Sequence, residues 1–372
     1  MTGKQFVAEQ VASIGSSGIR RIFDLASTMT DPIDMSMGQP DFDTPEAIKR
    51  AAIGAIQEGR NNYTVTHGLP ELREAIAAQL KREFDWAPAV LVTCGVSGGL
   101  SLALMACLNP GDEVIIPDPY FVSYPHLVRL FGGTPVMVDL YDDFTLNVER
   151  FEAAVTDRTK MILLNSPANP TGIVAAQREV RAIAELASRH DLLLVSDEIY
   201  NLLSYDGSAS SPVPFAPDHT LLLRGFGKSY GVTGWRMGHA AGPADVIAQM
   251  AKLQQFTFVC APHMAQVGCI TALSTDMSEQ IDNYRRKRNL VVEALQDTFE
   301  FARPAGGFYI FPKTPPAYAD STAFVEKAIK HNTLIIPGNV FSRKDTHFRI
   351  SYALPDEKIS RGCQTLCSLA CG

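Results

Sequence analysis

Short apolar runs recur along the chain between about residues 43 and 279, at 90–93, 113–116, 134–138, 161–164, 192–196, 220–223 and 237–241. None carries the strict polar alternation of a sheet that faces water, so each reads as a strand buried on both faces. Between several of them lie amphipathic stretches such as 177–190, whose apolar residues fall at helical spacing. This alternation predicts an α/β domain with a mostly parallel, seven-stranded sheet flanked by helices. After about residue 279 the texture changes. A charged helix over 280–301, containing YRRKRNLVVEAL, is followed by GGFYIFP, a helix near 321–330, TLIIPG and FRISYAL. That mixture predicts a smaller α+β domain. The expected division is a large domain over 43–279, a small domain over 280–372, and a segment over 1–42 that packs with the small one through a helix near 17–27.

Composition narrows the class. Hydrophobic residues make up 46% and charged residues 20%, as in ordinary globular proteins. The net charge of −7 argues against a nucleic-acid footprint, so any bound phosphate should be held by a local site. Seven cysteines, at 94, 107, 260, 269, 363, 367 and 371, have no disulfide-like spacing and fit the reduced thiols of a cytoplasmic protein. Cys363 and Cys367 lack a third ligand at metal spacing and read as small buried hydrophobes. Residues 90–108 carry no charge, but Gly95, Gly98 and Gly99 interrupt them. A strand, a glycine loop and a helix start describe that stretch better than a membrane span.

Four motifs carry candidate chemistry. In RGFGKSYGVTGWRMG, residues 224–238, Lys228 sits among five glycines after an apolar run, with Arg236 eight residues on. A lysine at the C-terminal end of a strand can form an imine with a carbonyl cofactor, and the arginine can grip a phosphate. A merely tight turn is the competing reading. In LLLVSDEIY, residues 192–200, four apolar residues deliver Asp197 to the strand end. There it can hold a protonated pyridine nitrogen, or simply cap the next helix. LLNSPANPTG, residues 163–172, forces a turn that puts Asn169 beyond the sheet edge, as a donor or as turn structure only. CGVSGGL, residues 94–100, opens a helix whose backbone N–H groups around Val96, Ser97 and Gly98 form an anion site.

Taken together with GQPDF (38–42), NYTVTHGLPELR (62–73), PDPYFVSYP (117–125) and FRISYA (348–353), these motifs resemble the fold-type I, class I/II aminotransferases of the aspartate aminotransferase superfamily. The resemblance covers nearly the whole chain. It implies pyridoxal 5′-phosphate bound to Lys228, with Asp197 on the ring nitrogen and Asn169 and Tyr200 on the ring oxygen. Phe121 would cover the ring face, though core packing is its plain alternative. Arg236 and the Val96, Ser97 and Gly98 backbone would hold the phosphate. Tyr63 would reach the phosphate of a partner subunit in a homodimer, and Arg349 with the Gly38 backbone would clamp the substrate carboxylate.

The chain departs from the resemblance in two places. Gly225 and Gly227 stand where many relatives carry serines, so phosphate contact should lean on Arg236, the glycine loop and Ser229. Ser97 stands where aspartate-preferring relatives carry a lysine, which disfavours strict aspartate use. The expected function is amino transfer from an L-amino acid to a 2-oxo acid, with apolar or aromatic side chains tolerated. Residues around 17–19, Tyr63, Phe121 and 256–260 are the expected specificity elements, and Arg20 is a candidate for a distal carboxylate. A β-C–S lyase on the same scaffold is the alternative. A non-catalytic regulator is disfavoured, because only a short stretch precedes Gly38. No metal, nucleic acid or membrane partner is expected.

Overall fold

All seven apolar runs form strands of one sheet in the computed structural model. The structure describes residues 6–8, 11, 29–141 and 143–371. The expected helix near 17–27, the segment 17–19 and Arg20 lie outside the described residues. In chain order the elements begin with β1 (Ile33–Asp34), α1 (Glu46–Gln57), α2 (Pro70–Phe84), β2 (Ala89–Cys94) and α3 (Gly95–Cys107). There follow β3 (Glu113–Asp118), α4 (Ser123–Leu130), β4 (Thr134–Asp139), α5 (Val148–Glu152), β5 (Thr159–Asn165) and α6 (Gln177–Arg189). Next come β6 (Leu193–Asp197), β7 (Thr220–Gly225), β8 (Met237–Gly242), α7 (Ala244–Thr257), α8 (His263–Ala272) and α9 (Ser278–Leu295). The last are β9 (Tyr309–Ile310), α10 (Ser321–Lys330), β10 (Thr333–Leu334), β11 (Ile336–Pro337), β12 (Phe348–Ser351) and α11 (Asp356–Ala370).

The large sheet has the order β2-β8-β7-β6-β5-β3-β4. Only β8 runs against its neighbours; the other pairings are parallel. Parallel strands need helices on both faces, which explains why the runs are apolar throughout and why Ile162, Leu163, Leu194 and Val195 are all fully buried. The helix α6 offers Val180, Ile183, Ala184, Leu186 and Ala187 to that core, and its Glu179 carboxylate accepts from the Ala176 N–H at its start. The C-terminal edge of such a sheet is where ligands bind, and the ends of β5, β6 and β7 lie side there by side.

The strand β8 is built of small residues, MGHAAG, for a local reason. A Cβ on Gly238 would come within 2.7 Å of the Gly95 carbonyl carbon, so β8 packs directly on the first turn of α3. The glycine loop of 94–100 is not a separate loop: the helix begins at Gly95, whose φ of +74° suits glycine.

Beyond α9, three short antiparallel strands form the order β11-β12-β9, and β1 pairs in parallel with β10. The helix expected over 280–301 stops at Leu295. The chain turns there so that Phe299 can pack against Phe324 and Phe348, with ring centroids 6.0 and 5.5 Å away. Cys363 lies buried in the same core, where burial pushes its thiol up to about 12. Among the described residues no helix is long and apolar enough to cross a membrane.

Candidate active site

The ends of β5, β6 and β7, the start of α3 and the strand β12 enclose a cavity of about 500 Å³. Lys228 follows β7 by three residues, and its amine donates to the Gly38 carbonyl. Burial, and then the positive charges of Arg349 and Arg236, bring its pKa down to about 8. A substantial neutral fraction near neutral pH makes this amine a nucleophile and a base.

Asp197 ends β6 and is buried. Its Oδ2 accepts from the Tyr124 hydroxyl at 2.7 Å and its Oδ1 from the Ile199 N–H at 3.1 Å. Burial raises its pKa to about 6, against the lowering effect of those two hydrogen bonds. No helix follows it, so the helix-cap reading fails: residues 198–202 form a turn. A buried acid with no cation beside it among the described residues suits a protonated ring nitrogen.

Asn169 stands on the turn after β5. Its backbone N–H donates to the Asn165 side chain at 2.9 Å, and its amide oxygen accepts from Arg349 Nη1 at 3.0 Å. The amide nitrogen is therefore the donor left for a group in the cavity. Arg349, on the middle strand β12, is 1% exposed. Its Nη2 donates to the Ser36 carbonyl at 2.7 Å, and its Nε is buried without a partner. The guanidinium packs on the rings of Tyr309 and Phe341, its Cζ 4.5 and 4.6 Å from their centroids. A buried arginine with an unsatisfied N–H and no carboxylate in ion-pair contact among the described residues fits an incoming carboxylate.

At the other end, Arg236 adopts a left-handed backbone, φ 55°, and its Nη1 donates to the Thr233 carbonyl at 3.0 Å. A Cβ on Gly95 would lie 2.7 Å from Arg236 Nη2, so the guanidinium sits across the start of α3. Free backbone N–H groups and an arginine fork at one point make a phosphate cup. The residues present therefore fit pyridoxal 5′-phosphate at three separate places: the amine, the buried acid and the cup.

Of the residues singled out from the sequence, Gly38, Val96, Ser97, Phe121, Asn169, Asp197, Tyr200, Lys228, Arg236 and Arg349 line this one cavity. Gly98 does not; it is buried inside the first turns of α3, where a Cβ would meet Cys94 Cβ at 3.2 Å. Tyr63 is 78% exposed and away from the wall, and Phe256 is equally exposed at 78%. Ser229 is buried with its hydroxyl unpartnered and off the wall. At Gly225 the space of a side chain is taken by Ile199 Cδ1 and Val96 Cγ2, 2.6 and 2.9 Å from a Cβ. Beside Gly227 lies Thr233, which does line the cavity. Sequence reasoning missed Tyr124, Asn165, Thr233 and Tyr309. Tyr124 and Tyr309 stand inside the quoted elements PDPYFVSYP and GGFYIFP, but nothing in their local spacing points to the site.

Such a cavity has the groups to hold a carbonyl cofactor on a lysine and to receive a carboxylate substrate. A sequence model of the family "Aminotransferase class I and II" matches residues 30–366. The chain belongs to that family and is a pyridoxal-phosphate-dependent aminotransferase. It is 39% identical over 368 residues to "Putative aminotransferase YugH" of Bacillus subtilis, covering 95% of each chain. It is 37% identical over 356 residues to "Aspartate/prephenate aminotransferase" of Thermus thermophilus, covering 92% of each. The solved aspartate aminotransferase of Thermus thermophilus with maleate superposes with a TM-score of 0.93 at 35% identity, covering 98% of this chain and all of that one.

Proposed function

We propose that the chain moves the amino group of L-amino acids with apolar or aromatic side chains to a 2-oxo acid. The observation that carries this reading is the charge of the cavity wall. Its cationic side chains among the described residues are Lys228, Arg236 and Arg349, and each has a task at the cofactor or the α-carboxylate. None is left over for a second carboxylate. Ser97 occupies the place of the lysine that serves this purpose in aspartate-preferring relatives, and Met37, Val96, Phe121, Val122 and Ile199 supply apolar surface. One relative, "Aromatic-amino-acid aminotransferase 2" of Thermococcus litoralis, is 35% identical over 370 residues, covering 95% of each chain.

In this reading pyridoxal 5′-phosphate supplies an electron sink for the bond being broken at Cα. The Arg349 guanidinium binds the α-carboxylate with help from the Gly38 backbone, which aims the Cα–H at Lys228. Lys228 Nζ, its pKa lowered by burial, would accept that proton and give it back on the cofactor side. Asp197, oriented by Tyr124, would hold a protonated ring nitrogen. Asn169 Nδ2 and the Tyr200 hydroxyl are the donors that would hold the ring oxygen, and Phe121 would cover the ring face. Arg236 and the N–H groups of Val96 and Ser97 would hold the phosphate, with Gly98, buried one turn inside the helix, serving the close packing of that turn. We assign the cofactor-binding domain to residues 43–279 and the smaller domain to 280–372 with the segment 1–42; the change from one large, mostly parallel sheet to short two- and three-stranded sheets supports that division.

A panel of amino donors, followed by the cofactor's spectral change, tests the substrate reading. Phenylalanine-like and aliphatic donors are expected to react faster than aspartate, and Ser97→Lys is expected to shift kcat/KM toward aspartate by about tenfold or more, the scale of one added ion pair. A wild type that reacts with dicarboxylic amino acids alone overturns it. Product analysis separates transfer from elimination: pyruvate and ammonia from cysteine-type donors mark a lyase.

The same reading makes the protein a homodimer in which Tyr63 reaches the partner's phosphate. Exposed Ile53, Ile56, Tyr63, Val65 and Phe258 support an apolar contact there. Activity is expected to fall on dilution in step with dissociation measured by sedimentation. A fully active monomer contradicts it.

A further inference from the structure

We propose that Tyr309 is a positioning residue that serves both halves of the site at once, holding Arg349 for the carboxylate through its ring and the Tyr200 hydroxyl for the cofactor through its own hydroxyl. The proposal rests on the roles given above to Arg349 and Tyr200, and goes beyond them. Tyr309 is 1% exposed and lines the cavity. It stands on β9 opposite Ser351 of β12, so it shares a sheet face with Arg349, two residues before Ser351.

Three contacts converge on this one side chain. The Arg349 carbon Cζ lies 4.5 Å from its ring centroid, and 4.6 Å from that of Phe341. The Tyr309 hydroxyl is 3.2 Å from the Tyr200 hydroxyl, and the two rings meet edge to face at 89°. The same hydroxyl fills the space beside Gly38: a Cβ there would lie 2.9 Å from it. Gly38 in turn offers the carbonyl to which Lys228 donates.

Each contact restricts a different degree of freedom. The guanidinium donates to Asn169 Oδ1 and the Ser36 carbonyl and leaves its Nε unpartnered, so the two ring faces add to what fixes its plane. A tyrosine hydroxyl rotates freely unless a partner sets its proton, and here either oxygen can donate to the other. With Tyr309 as the acceptor's neighbour, the Tyr200 hydroxyl is held at the cavity wall. The absence of a side chain at Gly38 is what lets the Tyr309 hydroxyl stand there.

Two variants separate the two tasks in the holoenzyme. Tyr309→Phe keeps the ring and removes the hydroxyl. It is expected to leave the dissociation constants of 3-phenylpropionate and maleate within about twofold of wild type, while raising the pH midpoint of the bound cofactor's absorbance change by about half a unit. Tyr309→Leu removes the ring and is expected to weaken both carboxylates by on the order of tenfold, with KM rising more than kcat falls. Gly38→Ala is expected to shift the absorbance midpoint as Tyr309→Phe does, and to add nothing further in the double variant. Unchanged midpoints in Tyr309→Phe, or carboxylate binding unchanged in Tyr309→Leu, overturn the proposal. Arg349→Lys is the control: if it leaves carboxylate binding intact, the clamp reading itself fails, whereas weak binding in Arg349→Lys with normal Tyr309 variants sinks only the proposal.

Discussion

Lys228→Ala is expected to give a folded protein that binds the cofactor but turns over at least about 10⁴-fold more slowly than wild type, the upper scale for loss of a positioned acid–base group. Two properties are lost together. In the proposed mechanism the amine that would accept the Cα proton is gone, and so is the covalent link to the cofactor. Borohydride reduction followed by peptide mass analysis is expected to find the cofactor fixed to the Lys228 peptide in wild type and nowhere in the variant. The structure explains why no neighbour substitutes: Arg236 and Arg349 are the remaining cationic side chains on the described wall, and a guanidinium does not serve as a base for a Cα proton. Near wild-type transamination by the variant refutes the assignment.

The second large effect is expected at Asp197, and it has opposite signs for activity and for stability. In the proposed mechanism Asp197→Asn removes the charge that would keep the ring nitrogen protonated. Breaking a buried ion pair by removing one partner costs about 3–5 kcal/mol, so turnover is expected to fall by on the order of 10³-fold. The cofactor-free protein responds the other way. Folding raises the Asp197 pKa from its ordinary 3.8 to about 6, so between those values the native state holds the proton more tightly than the unfolded chain. The stabilisation is fully present below about pH 4 and is lost as pH rises through about 6. Above that, burying the carboxylate costs up to about 3 kcal/mol. Asparagine escapes that cost, so at pH 8 the cofactor-free variant is expected to melt a few degrees above cofactor-free wild type, with the gap closing toward pH 4. Calorimetry of the two proteins across that range checks it, and an equal gap at every pH removes the electrostatic cause.

Much of this was legible in the chain. The strands were readable because a parallel sheet covered on both faces demands uninterrupted apolar runs. Their ends were less so. Cys94, Asp197 and Gly225 extend the runs by one or two residues, because ladder hydrogen bonds continue where side-chain polarity changes. That polar fringe is where the chemistry sits, so Lys228, Asp197 and Asn169 could be found as strand-end residues. Arg349 could not be separated from an ordinary surface arginine by its spacing; only the resemblance of FRISYA marked it. Tyr124 and Tyr309 lay beyond local reasoning altogether. The Tyr124 hydroxyl meets a carboxylate 73 residues away in sequence, and Tyr309 is one of two adjacent aromatic residues that the core also needs. The premature end of α9 was hidden for the same reason, since Phe299 leaves the helix for partners on α10 and β12.

Gly225 carries a consequence for how this site could change over generations. A serine there would gain a hydroxyl for the phosphate, yet its Cβ would collide with Ile199 Cδ1 and Val96 Cγ2. Both atoms belong to side chains that line the cavity. A serine would therefore have to displace both side chains: the tip of Ile199 can turn aside, whereas the Val96 methyl belongs to a branched, stiff side chain. Any gain at the phosphate is thus coupled to the shape of the wall that residues 96 and 199 form, so a change at 225 is also a change in the room left for substrate.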